Sequence, residues 1–319
     1  MSETGKLKLV IGTRGSKLAL WQADLVKSLI KDRCFDQIDS VEIKIIKTSG
    51  DEIKGPLWDK GGKGLFVKEL EEELLAGSID LAVHSIKDMP MALPRGLELV
   101  SVLERADPRD GLLSRGGKKL EELPSGAVIG TGSLRRQAQL SRFREDFVFQ
   151  PVRGNIDTRV RKLGEGQFDA IVLAVAGLAR MGLEKEIVEF ITPLVCLPAV
   201  GQGAIGIEAR SSDQQLNEIF ARLDHPESHI QIAAERAFLC ELGADCHVPV
   251  AGLAVIKGKR IFFSGLVSDP KGQRVIKEEA SCRLSGGYTN DLVAAGDLGK
   301  EVADVIIKKG GRELLEVKP

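Results

Sequence analysis

Apolar and polar positions recur in two rhythms along the first two thirds of this 319-residue chain. Short apolar runs of strand character, Leu7–Gly12, Val41–Lys47, Leu81–His84 and Leu97–Leu103, are separated by segments with helical spacing, Lys17–Ile30 and Val67–Leu75. A second set follows, with strands at Val128–Gly130, Phe147–Val152 and Ala170–Val175 and helices at Leu134–Arg144 and Thr158–Leu163. Strands that alternate with helices predict parallel sheets in α/β domains. The last third differs. A helix near Ile230–Leu242 precedes three strand runs, Val250–Ile256, Arg260–Val267 and Gln273–Ala280, and a helix over about Asp297–Lys309 closes the chain. The turn sequences Lys257-Gly258-Lys259 and Asp269-Pro270-Lys271-Gly272 predict antiparallel hairpins between those strands, in a small α+β unit.

The length exceeds what one ordinary core encloses and predicts two or three domains. A hydrophobic content of 43% with 29% charged residues is that of a globular protein. The 45 basic and 46 acidic side chains nearly cancel, so no global field draws the chain to nucleic acid or membrane. An anion site must therefore come from local clusters of Arg and Lys. Met1–Lys8 is polar, and the longest apolar run, Ala170–Ala179, is too short to span a bilayer. Five scattered cysteines without an export signal predict a reduced, cytoplasmic protein with no disulfide framework.

Four strand ends share one chemistry. Leu7–Gly12 runs into Thr13-Arg14-Gly15-Ser16, and Leu81–His84 into Ser85-Ile86-Lys87-Asp88-Met89-Pro90. Val128–Gly130 runs into Thr131-Gly132-Ser133-Leu134-Arg135-Arg136, and Phe147–Val152 into Arg153-Gly154-Asn155-Ile156-Asp157-Thr158-Arg159. In open α/β sheets ligands bind where such loops meet, at the carboxyl ends of strands. Arginine in the first turn of a helix opposes the helix dipole by a few tenths of a kcal/mol, and an anion seated there reverses that balance. Arginine also favours planar carboxylate or phosphate partners. No Walker pattern is present, and Gly61-Gly62-Lys63-Gly64 does not supply one, which tilts the expectation towards a polycarboxylate. The alternative, that arginines simply fell at helix starts, weakens as the number of such sites grows.

These loops also carry a family resemblance. Thr13-Arg14-Gly15-Ser16 with Leu18-Ala19-Leu20-Trp21-Gln22-Ala23, then Gly61-Gly62-Lys63-Gly64-Leu65-Phe66, resemble the start of porphobilinogen deaminases. The likeness continues in order through His84–Pro90, Asp107-Pro108-Arg109-Asp110, Gly130–Gln137 and Leu197-Pro198-Ala199-Val200-Gly201-Gln202-Gly203. It implies two α/β domains like those of type II periplasmic binding proteins plus a small α+β C-terminal domain with a three-stranded antiparallel sheet. The implied domains are 1–103 with 204–221, then 104–203, then 222–319. The implied reaction is the stepwise condensation of four porphobilinogen molecules, with loss of ammonia, on a covalent dipyrromethane primer, giving linear hydroxymethylbilane for tetrapyrrole (haem) biosynthesis.

The resemblance assigns roles residue by residue. Asp88 is the catalytic carboxylate, holding pyrrole N–H groups and stabilising developing positive charge, with Lys87 beside it. Cys246, in Ala244-Asp245-Cys246-His247, carries the dipyrromethane through a thioether, and Ser133, Arg135, Arg136, Lys87 and Asp88 hold it. Arg14, Ser16, Ser85, Arg153, Arg159 and Arg180 dock substrate carboxylates. Lys63 and Phe66 belong to a flap, and Gln202 to an interdomain hinge. No metal, nucleic acid or membrane partner is implied, and a monomer is expected. The sequence departs from the family pattern at Ala244-Asp245, where Gly-Gly is common, and at Asp59, where Lys often stands.

Other motifs point less far. Gly201-Gln202-Gly203-Ala204-Ile205-Gly206 fits G-x-G-x-x-G, but the residues after it alternate as a strand rather than opening a helix. His225 and His229 have helical spacing without accompanying Cys-x-x-Cys, so a zinc site is not expected. His84, with an apolar strand behind it, is expected to support the Asp88 loop by hydrogen bonding. Two rival functions remain: a binding module on the same two-lobed fold, which needs neither Cys246 nor Asp88, and a phosphate-handling transferase, which needs acidic metal ligands.

Overall fold

The computed structural model describes residues 6–52, 67–244 and 248–317. The chain runs β1 (Leu7–Thr13), α1 (Lys17–Arg33), β2 (Ile38–Ile45), α2 (Ser49–Glu52), α3 (Lys68–Leu75), β3 (Leu81–Ser85) and β4 (Leu97–Val102). It continues through β5 (Asp110–Ser114), β6 (Val128–Gly130), α4 (Leu134–Phe143), β7 (Val148–Gln150), α5 (Ile156–Gly164), β8 (Ala170–Ala174), α6 (Val175–Arg180) and β9 (Glu189–Ile191). Then come β10 (Ile205–Arg210), α7 (Gln214–Ala221), α8 (Pro226–Leu242), β11 (Val250–Lys257), β12 (Arg260–Ser268), β13 (Val275–Arg283), α9 (Tyr288–Lys308) and α10 (Gly311–Leu315). Two compact units result, Met1–Arg105 with Ala204–His229, and Ala106–Gly203 with Ile230–Pro319.

The first unit holds a five-stranded sheet in the order β2-β1-β3-β10-β4. Burial explains the order. β10 is buried over nearly its whole length and β3 over most of its length, as central strands must be, while the edge strand β2 is buried only at Ile38 and Val41. Helices α1 and α7 cover one face, where Val26, Ile30 and Phe220 pack on Leu9, Ile11 and Ile207. On the other face α3 lays Leu70 and Leu74 against Ile79, Ala82 and Leu97. Helix α1 starts at Ser16 because the Ser16 hydroxyl accepts the Ala19 N–H, a side-chain cap.

In the second unit the order is β7-β6-β8-β5-β9, beside a three-stranded antiparallel sheet β11-β12-β13. The fold class read from the sequence, two α/β sheets plus a small antiparallel one, is the one observed. The expectation of parallel sheets needs correcting. β10 runs antiparallel to both β3 and β4, and β5 antiparallel to β8 and β9. In each five-stranded sheet four strands therefore run one way and one, β10 or β5, runs the other. The closing helix also begins earlier than expected, at Tyr288, because Asp291 accepts the Ser285 and Gly286 N–H groups ahead of it. Helix α9 packs on β12 and β13, with Phe238 of α8 edge-on to Phe263 of β12, 5.1 Å between ring centres. Gly265 and Gly299 leave room for that approach, since a methyl at either would meet Phe238 or the Ala234 carbonyl.

Glu235 ties this unit together. Fully buried on α8, it accepts the Gly201 N–H at 2.7 Å and the Ala254 N–H at 2.9 Å. One carboxylate thus fixes both the loop before Gln202 and the first strand of the small sheet. Among the described residues no helix is long and apolar enough to cross a membrane.

Candidate active site

Each unit gathers its sequence-marked side chains at the carboxyl ends of adjacent parallel strands. In the first, β1 and β3 pair through Ile11–Leu81 and Gly12–Ala82. Arg14 and Ser16 leave the end of β1, and Ser85, Lys87 and Asp88 leave the end of β3, so five of the candidates share one edge of one sheet. Gly12 lets α3 and Ile79 close over this face, since a methyl there would stand 2.3 Å from Ile79 and 3.1 Å from Leu70.

Local bonds fix both exits. Thr13 donates its hydroxyl to the Ala19 carbonyl, Gln22 donates to the Ser85 hydroxyl at 2.9 Å, and Ile86 N–H reaches the Ala204 carbonyl. Residues Ile86–Asp88 form one 3-10 turn that leaves Asp88 exposed and buries Ile86 and Met89 beneath it. Ser16 serves as the α1 cap described above. His84 turns away from this edge towards Glu208, with Nε2 2.9 Å from Oε2.

In the second unit β7, β6 and β8 are parallel neighbours, paired at Gly130–Gln150 and Gly130–Ile171. Their ends lead to Ser133, Arg135 and Arg136, to Arg153 and Arg159, and to Arg180. Arg159 donates to the Gly154 carbonyl at 2.7 Å, across a turn that requires glycine: its φ is +106° and a methyl would stand 2.7 Å from Thr158. Arg180 donates to the Gly203 carbonyl at 2.6 Å, and burial lowers its pKa to about 10. Gln202 donates to the Pro108 carbonyl and, at 2.9 Å, to Asp110.

Asp110, on the first turn-out of β5, is the feature that sequence reasoning missed. Arg135 and Arg136 are 5% and 7% exposed, not surface residues, and both point at this fully buried carboxylate. Arg135 Nη1 donates to it at 2.7 Å and also to the Leu197 carbonyl at 2.8 Å. Arg136 donates through Nη2 at 2.7 Å and Nε at 3.1 Å, and its Nη1 holds the Val172 carbonyl. The anion expected at the start of α4 is therefore already supplied, in part, by the chain. Burial alone would push the Asp110 carboxyl up, but the two guanidinium charges outweigh it and hold it well below the usual carboxylate range. One carboxylate does not neutralise two guanidiniums, so this strand end keeps a net positive charge. Cys196 lies against the cluster, its thiol pushed up to about 12 by burial despite the Arg135 charge.

Lys63, Phe66 and Cys246 lie outside the described residues. His225 and His229 do not converge on a common point: His225 Nδ1 meets the Ser228 hydroxyl and His229 Nδ1 meets Asp224. Gly201–Gly206 opens strand β10, not a helix.

Comparison with known proteins places this geometry. A family model described as porphobilinogen deaminase, dipyromethane cofactor binding domain, matches residues 9–218, and one for the porphobilinogen deaminase C-terminal domain matches residues 229–308. Porphobilinogen deaminase of Nitratidesulfovibrio vulgaris is 51% identical over 310 residues, covering 97% of this chain and 96% of its own. That of Syntrophomonas wolfei is 46% identical over 308 residues, 96% of this chain and 97% of its own. A solved periplasmic sulfonate-binding protein from Methylobacillus flagellatus superposes with a TM-score of 0.40 at 16% identity, over 73% of this chain and 67% of its own. Two family domains matched in order, and half the residues shared along nearly the whole length, make this chain a member of the porphobilinogen deaminase family.

Proposed function

We propose that this chain is a cytoplasmic, monomeric transferase that condenses four porphobilinogen molecules head to tail, with loss of ammonia, into hydroxymethylbilane. The reading rests on one observation above the others: basic side chains gather at adjacent strand ends in each sheet, in a chain whose residues 9–218 match a dipyrromethane-cofactor-binding domain. Porphobilinogen and its oligomers carry an acetate and a propionate on every ring. A donor set of arginines, a lysine and serine hydroxyls fits such a polycarboxylate.

The dipyrromethane, when attached through a thioether to Cys246, supplies a tethered nucleophilic pyrrole. The chain's own residues do the rest. Arg14, Ser16 and Ser85 hold substrate carboxylates on one strand edge, with Lys87 adding charge. Ser133, Arg135, Arg136, Arg153, Arg159 and Arg180 hold cofactor and chain carboxylates on the other. Asp88 accepts pyrrole N–H groups and stabilises the positive charge that appears as ammonia departs, its exposure giving it access to the reacting ring. Lys63 and Phe66 act as a cover, and Gln202, bonded to Asp110, sits where the chain returns to the first unit. Functionally the chain divides into 1–103 with 204–221, 104–203, and 222–319. Neither nucleic acid, membrane nor metal takes part.

Replacing Asp88 with Asn tests the central role. Turnover of porphobilinogen should fall by a factor of about 100 or more, within the range of a lost acid–base and electrostatic group, with cofactor loading retained. Turnover within twofold of wild type would remove Asp88 from the chemistry.

A further inference from the structure

Behind the Ser85–Asp88 loop lies a cluster that this chemistry leaves unused. Gly206 is opposite His84 across the β3–β10 pair, and Glu208 is opposite Ala82. Glu208 is thus the diagonal neighbour of His84 on the same face of the sheet. Glu71, on the first turn of α3, lies near enough to feel the charges of both Glu208 and His84. The three side chains are 6%, 0% and 8% exposed. His84 Nε2 and Glu208 Oε2 stand 2.9 Å apart without the alignment of a straight hydrogen bond, and among the described residues neither oxygen of Glu208, nor Oε1 of Glu71, has a donor.

Buried acceptors left without donors in this way are costly. Two protons resolve this. One lies between His84 and Glu208, and the other sits on Glu71.

We propose that Glu71 is held as the neutral acid donating to Glu208, and that with His84 it forms a positioning device that fixes where the Ser85–Asp88 loop leaves the sheet. The inference rests on reading that loop as the working loop. His84 immediately precedes Ser85, so a clamp joining α3, β3 and β10 at this residue sets the loop's point of departure. Burial pushes the Glu71 carboxyl up to about 7, reinforced by the Glu208 charge and opposed by His84, with Glu72 adding slightly on its own helix. Among the described residues, neighbouring charged groups have other partners. Arg210 donates to the Leu74 and Ile79 carbonyls, and Lys44 pairs with Glu73. Val10 and Gly12 of β1 and Leu97 of β4 pack against α3, and none of them titrates.

Ionising Glu71 places a second negative charge in a dry pocket beside Glu208. Relief requires water to enter or α3 to move off the sheet, and either loosens His84. The hold on the loop therefore weakens as pH rises through neutrality.

Glu71→Gln keeps an N–H donor that cannot ionise, and the test compares it with wild type from pH 6 to 9. The Tm of wild type should fall relative to the variant across neutral pH and level off above about pH 8. Protection of the Ser85–Asp88 amides, taken relative to their base-catalysed intrinsic exchange at each pH, should fall in wild type over the same interval and not in the variant. Parallel Tm curves and parallel exchange would overturn the inference. Should the variant not fold, carbon-13 carboxyl spectra of wild type decide it: a Glu71 midpoint near 7 supports the cluster, and one near 4.5 contradicts it. Glu208→Gln should lower turnover number with KM and cofactor loading unchanged. Intact masses of the same samples separate this from the functional proposal. An unloaded protein contradicts that proposal and leaves the Tm comparison standing, whereas parallel curves in a loaded enzyme contradict only the cluster.

Discussion

Asp110→Asn should destabilise the second unit by about 3–5 kcal/mol, the cost of removing one partner from a buried ion pair. The structure favours the upper half of that range. Asp110 is fully buried and receives two bonds of 2.7 Å from Arg135 and Arg136, one of 3.1 Å from Arg136 and one of 2.9 Å from Gln202. Asparagine has nearly the same volume, so no cavity term enters. It replaces one acceptor oxygen with an NH2 group that must face donors, and leaves two buried guanidiniums without a counter-charge. For a unit of this length, 3–5 kcal/mol corresponds to a fall in Tm of about 6–20 °C. The assay is thermal and urea unfolding of both proteins at pH 7, with the slope of the urea transition compared to confirm the same unfolding reaction.

The pH dependence has a definite sign. A carboxyl whose folded pKa is depressed adds stability above its unfolded value, near 4, and loses it as pH falls below that value. The gap between wild type and Asp110→Asn should therefore be full at pH 6–7 and shrink below about pH 4. Adding Arg136→Met to the variant should recover part of the loss, because one stranded charge is removed. A single variant within about 1 kcal/mol of wild type at pH 7, or a gap independent of pH down to 3, would refute the picture of a tight internal ion triad.

Glu235→Ala strips the acceptor from two backbone N–H groups and should cost about 3 kcal/mol or more, read as a lower Tm. Arg153→Leu and Arg135→Leu should both stall turnover with partly elongated chains visible by mass. Only Arg135→Leu should also lower Tm by several degrees, because Arg135 is buried against Asp110 while Arg153 is half-exposed and outside that triad. Brief treatment of native protein with a maleimide should label exposed Cys240 and spare Cys196 and Cys34, both buried with raised pKa, and modification of Cys196 without unfolding would contradict its burial.

Much of the fold was legible because apolar periodicity is a local signal. Leu81–His84, Ala170–Val175 and the hairpins around Gly258 and Gly272 fall where the pattern puts them. Strand direction was not legible, since whether β10 runs with or against β3 depends on residues far away in sequence. Strand β5 was missed for a local reason: its five residues include Asp110, Gly111 and Ser114, and only Leu112 and Leu113 read as strand. That omission hid the main electrostatic feature. The Arg135-Arg136 pair was singled out as a ligand-anion site, and the internal carboxylate that Arg135 meets lies 25 residues earlier, on the strand not seen. Serine 16 marked a helix start and proved to be the cap itself. His84 was expected to steady the Asp88 loop, and nothing in its own neighbourhood pointed to Glu208 or Glu71, which a β-sheet register and a helix bring to it.

The most direct test of the account is the intact mass of native protein beside Cys246→Ala, before and after porphobilinogen is added. The account predicts an excess of one dipyrrole on native protein, absent from the variant, followed by successive single-pyrrole increments once substrate is present. A folded native protein with no excess mass and no increments would contradict it, and would leave the sheets and their basic strand ends to be explained as a carboxylate-binding module without covalent chemistry.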